Sequence, residues 1–227
     1  LVGSEMCIRD SSEDLLIEIE KSLKERERSG VIRLEVDNKV KSELLSILKK
    51  ELKVKNDDIY KINGPIDFTF LNKLYSEDGF DKYKYKPFKS QVRPELKNVD
   101  LFEKIREGDI LLHHPYDSFS TIVDLIKQAA VDENVLAIKQ TLYRVSGNSP
   151  IIEALSRAAE NGKQVSVLVE LKARFDEENN IIWARKLEKA GCHVIYGLLG
   201  LKTHSKITEI VRREEDGIRR YVCLLYT

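Results

Sequence analysis

The amino-acid sequence predicts an α/β fold: a largely parallel sheet core flanked by helices and preceded by a small α+β piece. Three observations carry this. From Val135 on, apolar runs alternate with stretches of helical period in the order β-α-β-α-β-β. Two of the runs, "VLAIKQTLYR" (135–144) and "QVSVLVEL" (164–171), are apolar enough to be buried strands, the second central in its sheet. The stretches between them carry helix punctuation: Ser149 and Pro150 open one and Gly162 follows it, while acidic residues open the next and Gly191 closes it.

The elements follow in order. "SEDLLIEIEKSLKERER" (12–28) places apolar residues at Leu15, Leu16, Ile19 and Leu23, an amphipathic helix that Gly30 closes. "VIRLEV" (31–36) alternates and reads as a strand. "KSELLSILKKEL" (41–52) is a second amphipathic helix. "DDIYKINGPID" is a strand broken by Asn63-Gly64-Pro65, and "FTFLNKLY" (68–75) a short helix. Residues 76–99 lose all period and read as an extended linker. Their interleaved Lys, Tyr and Phe is a pattern of single-strand nucleic-acid binders, but a solvated linker with its aromatics tucked onto the body accounts for it better.

After Asp100 come a helix, a short strand at Ile110–His113, the helix "FSTIVDLIKQAAVD", the strand at 135–144 and the helix 149–162. Then follow the strand 164–171, the helix 176–191, and strands at 192–197 and 205–213. In the helix 176–191, Trp183 shares an apolar face with Ile182 and Leu187 and is expected in the core. His193 starts a strand and reads as structural. His113 and His114 are adjacent in an expected strand, so they point to opposite faces and do not share a metal; one packed and one surface ring is the expectation.

Bulk properties bound the function without naming it. Lys plus Arg equals Asp plus Glu, 38 each in 227 residues, so any polyanion site is local. No apolar run approaches the ~18 residues that span a bilayer. Cys7, Cys192 and Cys223 have neither metal nor disulfide spacing. With no signal-peptide pattern at the start, the expected setting is a reducing cytoplasm. Both ends break the pattern: "LVGSEMCIRD" (1–10) and "CLLYT" (223–227) resemble translated sequencing-adapter sequence, so both are expected to be non-native.

The candidate site comes from spacing. Arg144 follows one strand, Arg174 the next, and His204 lies where another begins; each is thirty residues from its neighbour. Thirty residues is about one strand-helix unit, which returns the chain to the same sheet edge. In open α/β sheets that edge binds ligands. Asn148 and Ser149 begin a helix whose free N–H groups form an anion seat. Lys202 and Lys206 flank His204 in "GLKTHSK". Guanidinium forks suit phosphate, and His204 is the only nucleophile of the set. Taken alone, these residues leave a phosphate-handling enzyme and a non-catalytic polyanion-binding module both open.

"GLKTHSK", "IKQTLYRVSGNSPI", "VLVELKARFDEENNI" and "GDILLHHPYDSF", colinear over about residues 13–222, resemble polyphosphate kinase of the first type. Residues 11–99 resemble the end of that family's head domain plus a linker. Residues 100–222 resemble a truncated first catalytic domain, with a phospholipase-D-like mixed sheet. The resemblance implies that His204 is the histidine phosphorylated by ATP, with Lys206 as a second catalytic residue. It implies that Arg144, Arg174 and Lys202 bind phosphate, with Arg144 and Arg174 at the magnesium site. A guanidinium has no lone pair for a metal, so that contact runs through phosphate oxygens. Expected partners are Mg2+, ATP or ADP, and inorganic polyphosphate, in a homo-oligomer with no nucleic acid. Val211 stands where a phospholipase-D motif H-x-K-x4-D has Asp, which argues against a phosphodiesterase. The family's second catalytic domain is missing, so the chain alone is expected to be inactive.

Overall fold

The computed structural model describes residues 16–17, 19–25, 29–145, 149–171, 176–197 and 201–225. The chain forms two compact units, residues 22–88 and residues 89–227 together with residues 1–21. Residues 16–17 and 19–25 are helical (α1), as their apolar spacing predicts.

In the unit of residues 22–88, β1 (Leu34–Asp37) pairs in parallel with β2 (Ile59–Ile62), Leu34 opposite Ile59. Helices α2 (Ser42–Leu52) and α3 (Phe70–Ser76) complete it. The strand expected at Val31 begins only at Leu34, because β2 offers four residues to pair with. Val36 and Val54 are buried, while the Arg33 guanidinium lies 3.6 Å from the centre of the Tyr60 ring. The linker aromatics are not tucked in: Tyr83 is exposed and Tyr85 is 97% exposed. Short 3-10 turns at Asp81–Tyr83 keep this stretch folded back on its own backbone and leave its rings to solvent.

The larger unit is built on a five-stranded sheet of order β5-β4-β3-β6-β7. Strands β3 (Val135–Leu142), β4 (Gln164–Val169) and β5 (His193–Tyr196) run parallel. Strand β6 (Lys206–Glu214) is antiparallel to β3, and β7 (Gly217–Leu225) to β6. The sheet is therefore mixed. β7 was not expected; the turn Glu215-Asp216 joins it to β6, and residues 223–225 of the expected non-native end lie in it.

Helix α4 (Leu101–Glu107) has Asp100 as N-cap, its carboxylate accepting the Phe102 and Glu103 N–H groups. Helix α5 (Ser120–Val131) packs on β3, α6 (Pro150–Glu160) on β4 and α5, and α7 (Glu177–Lys189) on β5 and α6. Ile126, Ile138, Ile152, Leu155, Val167, Leu187 and Ile210 are fully enclosed between them. On α7 the buried stripe is Ile181, Ala184 and Leu187. Ile182 is exposed and Trp183 only half-buried, with the Lys186 ammonium 5.3 Å from its ring centre. The i, i+3 rotation that buries Ile181 turns Ile182 outward.

The strand expected at Ile110–His113 is irregular instead and leads into a turn at 114–116. The Asp117 carboxylate accepts from the His113 N–H at 2.7 Å and from Arg93 at 2.9 Å, and the His114–Pro115 bond is cis. The Arg93 guanidinium, then the His113 N–H, pull Asp117 down to about 2 from the usual 3.8. His114 is half-buried with its Nδ1 2.8 Å from the Asp117 carbonyl, and His113 is exposed. Gln91 bridges to the same turn, so the later part of the expected linker, including the buried Leu96, is docked on this unit. No helix among the described residues is long and apolar enough to cross a membrane.

Candidate phosphate site

Strand β3 ends at Leu142, and the chain continues through Tyr143 and Arg144 past its carboxyl end. Because β6 runs the other way, its first residue, Lys206, returns to that same edge, and His204 lies two residues before it. The antiparallel step thus brings together residues about sixty positions apart. Tyr143 stands at the centre of the group. The His204 ring meets it edge-on with centroids 5.0 Å apart. The Lys206 ammonium lies 4.8 Å from the Tyr143 ring centre, Lys202 5.3 Å and the Arg144 guanidinium 5.7 Å. The ring quadrupole holds the three cations at one place without neutralising them.

Arg144 also pairs with Asp176 at 3.1 Å. Its side chain is about half exposed, so this ion pair orients the fork more than it stabilises the fold. Lys206 donates to the His204 carbonyl at 2.6 Å. Arg174 lies outside the described residues, as does Asn148 of the expected anion seat. Ser149 is the N-cap of α6 in position, with extended backbone, but its side chain makes no capping bond. Ser149, Tyr143, Arg144, Lys206 and Ile151 help line a cleft of about 290 Å³.

The segment carrying His204 is tied down on both sides. The Thr203 N–H donates to Glu170 Oε2 at 2.7 Å. The Thr141 hydroxyl donates to the Ser205 carbonyl at 2.9 Å and accepts from the Ile207 N–H at 2.8 Å. Asn180, 1% exposed, donates to the carbonyls of Tyr143 (2.8 Å) and Glu170 (3.0 Å), joining the ends of β3 and β4. His204 itself is exposed.

Tyr143, Thr141, Glu170, Asn180 and Asp176 were not foreseen. Glu170 had one readable signal, a charge closing an otherwise apolar strand; the others become visible only with their partners. Chemically, an exposed imidazole beside three cations suits an anion delivered to a nucleophile. No group of three or more His, Cys, Asp or Glu among the described residues is placed to hold a metal. Val211 lies within β6, opposite Ala137 and Arg220, at neither end of the strand.

Comparison with known proteins gives a consistent result. Residues 100–226 match the family model "Polyphosphate kinase C-terminal domain 1", and residues 3–74 match "Polyphosphate kinase middle domain". The chain is 54% identical over 220 residues to a polyphosphate kinase of Halalkalibacterium halodurans, covering 95% of this chain and 31% of the relative. It is 51% identical over 214 residues to that of Lactiplantibacillus plantarum, covering 94% and 30%. The crystal structure of polyphosphate kinase from Porphyromonas gingivalis superposes with a TM-score of 0.68 at 30% identity, over 83% of this chain and 28% of that one.

Proposed function

The chain belongs to the polyphosphate kinase family, and from that premise we propose that it carries the phosphohistidine site of an ATP–polyphosphate phosphotransferase. It spans about 30% of the length of the curated relatives it matches. The complete reaction is therefore proposed for a polypeptide of their length, and this chain by itself is expected to be inactive.

In the first step an imidazole nitrogen of His204 attacks the γ-phosphorus of ATP. The bond from that phosphorus to the bridging oxygen breaks, and ADP leaves with the electron pair. In the second, a terminal oxygen of polyphosphate attacks the phosphohistidine, the P–N bond breaks, and the imidazole is freed. Both steps run in reverse. Phosphoryl transfer is mostly positioning and charge stabilisation. Arg144 is assigned to the phosphate oxygens through its fork, and Arg174 is assigned the same role; Lys202 and Lys206 balance charge on the group in flight. Magnesium neutralises phosphate charge when bound. Since a guanidinium has no lone pair for a metal, magnesium would be carried on phosphate oxygens that Arg144 and Arg174 would hold. Use of ATP implies a cytoplasmic setting.

The observation that carries this reading is the gathering of His204, Lys202, Lys206 and Arg144 around Tyr143 at one sheet edge. The test uses a completed protein, in which this chain replaces the matching segment of the Halalkalibacterium halodurans relative. Incubated with γ-labelled ATP and magnesium, it is expected to take up acid-labile, alkali-stable label, and His204→Ala none. Equal labelling of both, or none in a folded protein, would leave polyanion binding without catalysis as the better reading.

A further inference from the structure

Resting on that reading, we infer that Glu170 and Thr141 are positioning residues that hold the His204 segment in line for phosphoryl transfer. The chain must cross from the end of β5, over the carboxyl end of β4, to the start of β6. Among the described residues of that crossing, 201–205 are irregular and lie outside any strand ladder. Two side chains from the strands beneath bind backbone groups there. Glu170, 4% exposed, accepts the Thr203 N–H at 2.7 Å. Thr141 serves the other flank with one hydroxyl, donating to the Ser205 carbonyl and accepting from the Ile207 N–H. His204 is thus the single residue between two gripped neighbours.

The grips are themselves fixed. Glu170 follows β4, its N–H donating to the Leu142 carbonyl at 2.9 Å, and its own carbonyl accepts from buried Asn180. Thr141 lies within β3, opposite Leu168. A buried carboxylate costs stability unless it is hydrogen-bonded, and the Thr203 N–H is one group that Glu170 binds. Val167, Leu168 and Val169 precede it directly, so the charge stands out at the end of an apolar run. Its placement makes sense as a device that fixes where His204 stands. Because an in-line displacement is sensitive to errors near 1 Å, a loosened segment slows transfer without weakening capture of ATP, which falls to the cations.

The test is single-turnover labelling of the completed protein with γ-labelled ATP across ATP concentrations. It compares the unaltered protein with Glu170→Ala, Glu170→Gln, Thr141→Val, Thr141→Ser and His204→Ala, each checked for folding by its thermal midpoint. Glu170→Ala is expected to lower the maximal labelling rate ~100-fold, with the half-saturating ATP concentration within about twofold. Glu170→Gln keeps an oxygen for the Thr203 N–H and is expected within about fivefold of the unaltered rate. Thr141→Val is expected to slow labelling about 10-fold, and Thr141→Ser to restore it. Labelling of folded Glu170→Ala at the unaltered rate overturns the inference. So does Glu170→Gln as slow as Glu170→Ala, or an effect confined to ATP affinity. If Glu170→Ala does not fold, the glutamine and the Thr141 pair decide in the same way. Label on His204→Ala equal to the unaltered protein defeats the phosphohistidine reading itself. No label on His204→Ala with normal Glu170→Ala and Thr141→Val defeats only this inference.

Discussion

Tyr143 keeps three cations and an imidazole within about 6 Å of one ring centre, and two predictions arise among the residues it gathers. Replacing Arg144 by Lys keeps the charge but removes the planar fork. The expected outcome in the completed protein is a labelling rate about 100-fold lower. A near-normal rate would show that charge alone suffices. Replacing Tyr143 by Leu keeps bulk and removes the quadrupole, and should raise the ATP concentration needed for half-maximal labelling several-fold. Away from the site, burial first, then the nearby Glu160 charge, push the Cys192 thiol up to about 11. Alkylation of the peptide carrying Cys192 at pH 8 should therefore appear only as urea unfolds the protein. Residue types and spacing single out His204, Lys206, Lys202 and Arg144 in the sequence as candidates, and the structure brings these four around Tyr143. Glu170 and Thr141 are not legible there, because a hydrogen bond from Thr203 or to Ser205 exists only once β4, β3 and the returning segment meet.

Among elements, α6 lies between β4 and α5 with Leu155 fully enclosed. Leu155→Ala should cost about 2–5 kcal/mol in urea unfolding; a cost below about 1 kcal/mol would contradict this packing. The turn at 113–117 has a pH signature. Asp117 titrates at about 2 when folded against the usual 3.8. Its folded value is depressed, so its contribution is present above about 4 and is lost as pH falls toward 2. Asp117→Asn should lack that contribution, so the difference in thermal midpoint between the two proteins should shrink as pH falls from 4 to 2. An unchanged difference would refute the Arg93–Asp117 assignment. Helices with end signals were read well: Ser149-Pro150 before α6 and the acidic first turn of α7 sit where expected. The misses have local causes. Ile110–His113 has strand-like composition, yet Asp117 captures the backbone N–H that a ladder would use. β7 went unread although Asp216-Gly217 is a turn signal, because Arg219 and Arg220 mask its alternation.

For the whole molecule, the thirty-residue spacing predicts one sheet edge for Arg144 and His204, and the structure has both beside Tyr143 at that edge, while Arg174 lies outside the described residues. Periodicity conveyed the parallel half of the sheet, β3, β4 and β5. It did not convey that β6 turns antiparallel beside β3, the step that carries His204 back to Arg144. Pairing direction depends on which strand end the connecting segment reaches, and that is a property of the assembled sheet. The central claim is that this edge transfers phosphoryl groups through His204, and trypsin gives it a direct test. Cleavage after Lys202 and Lys206 releases Thr203–Lys206, in which His204 is the only histidine. The completed protein, labelled with γ-labelled ATP and digested at neutral to alkaline pH, should yield acid-labile label on that peptide. Label on another histidine peptide, or a stoichiometrically unlabelled Thr203–Lys206 in protein that still makes polyphosphate, would contradict the account.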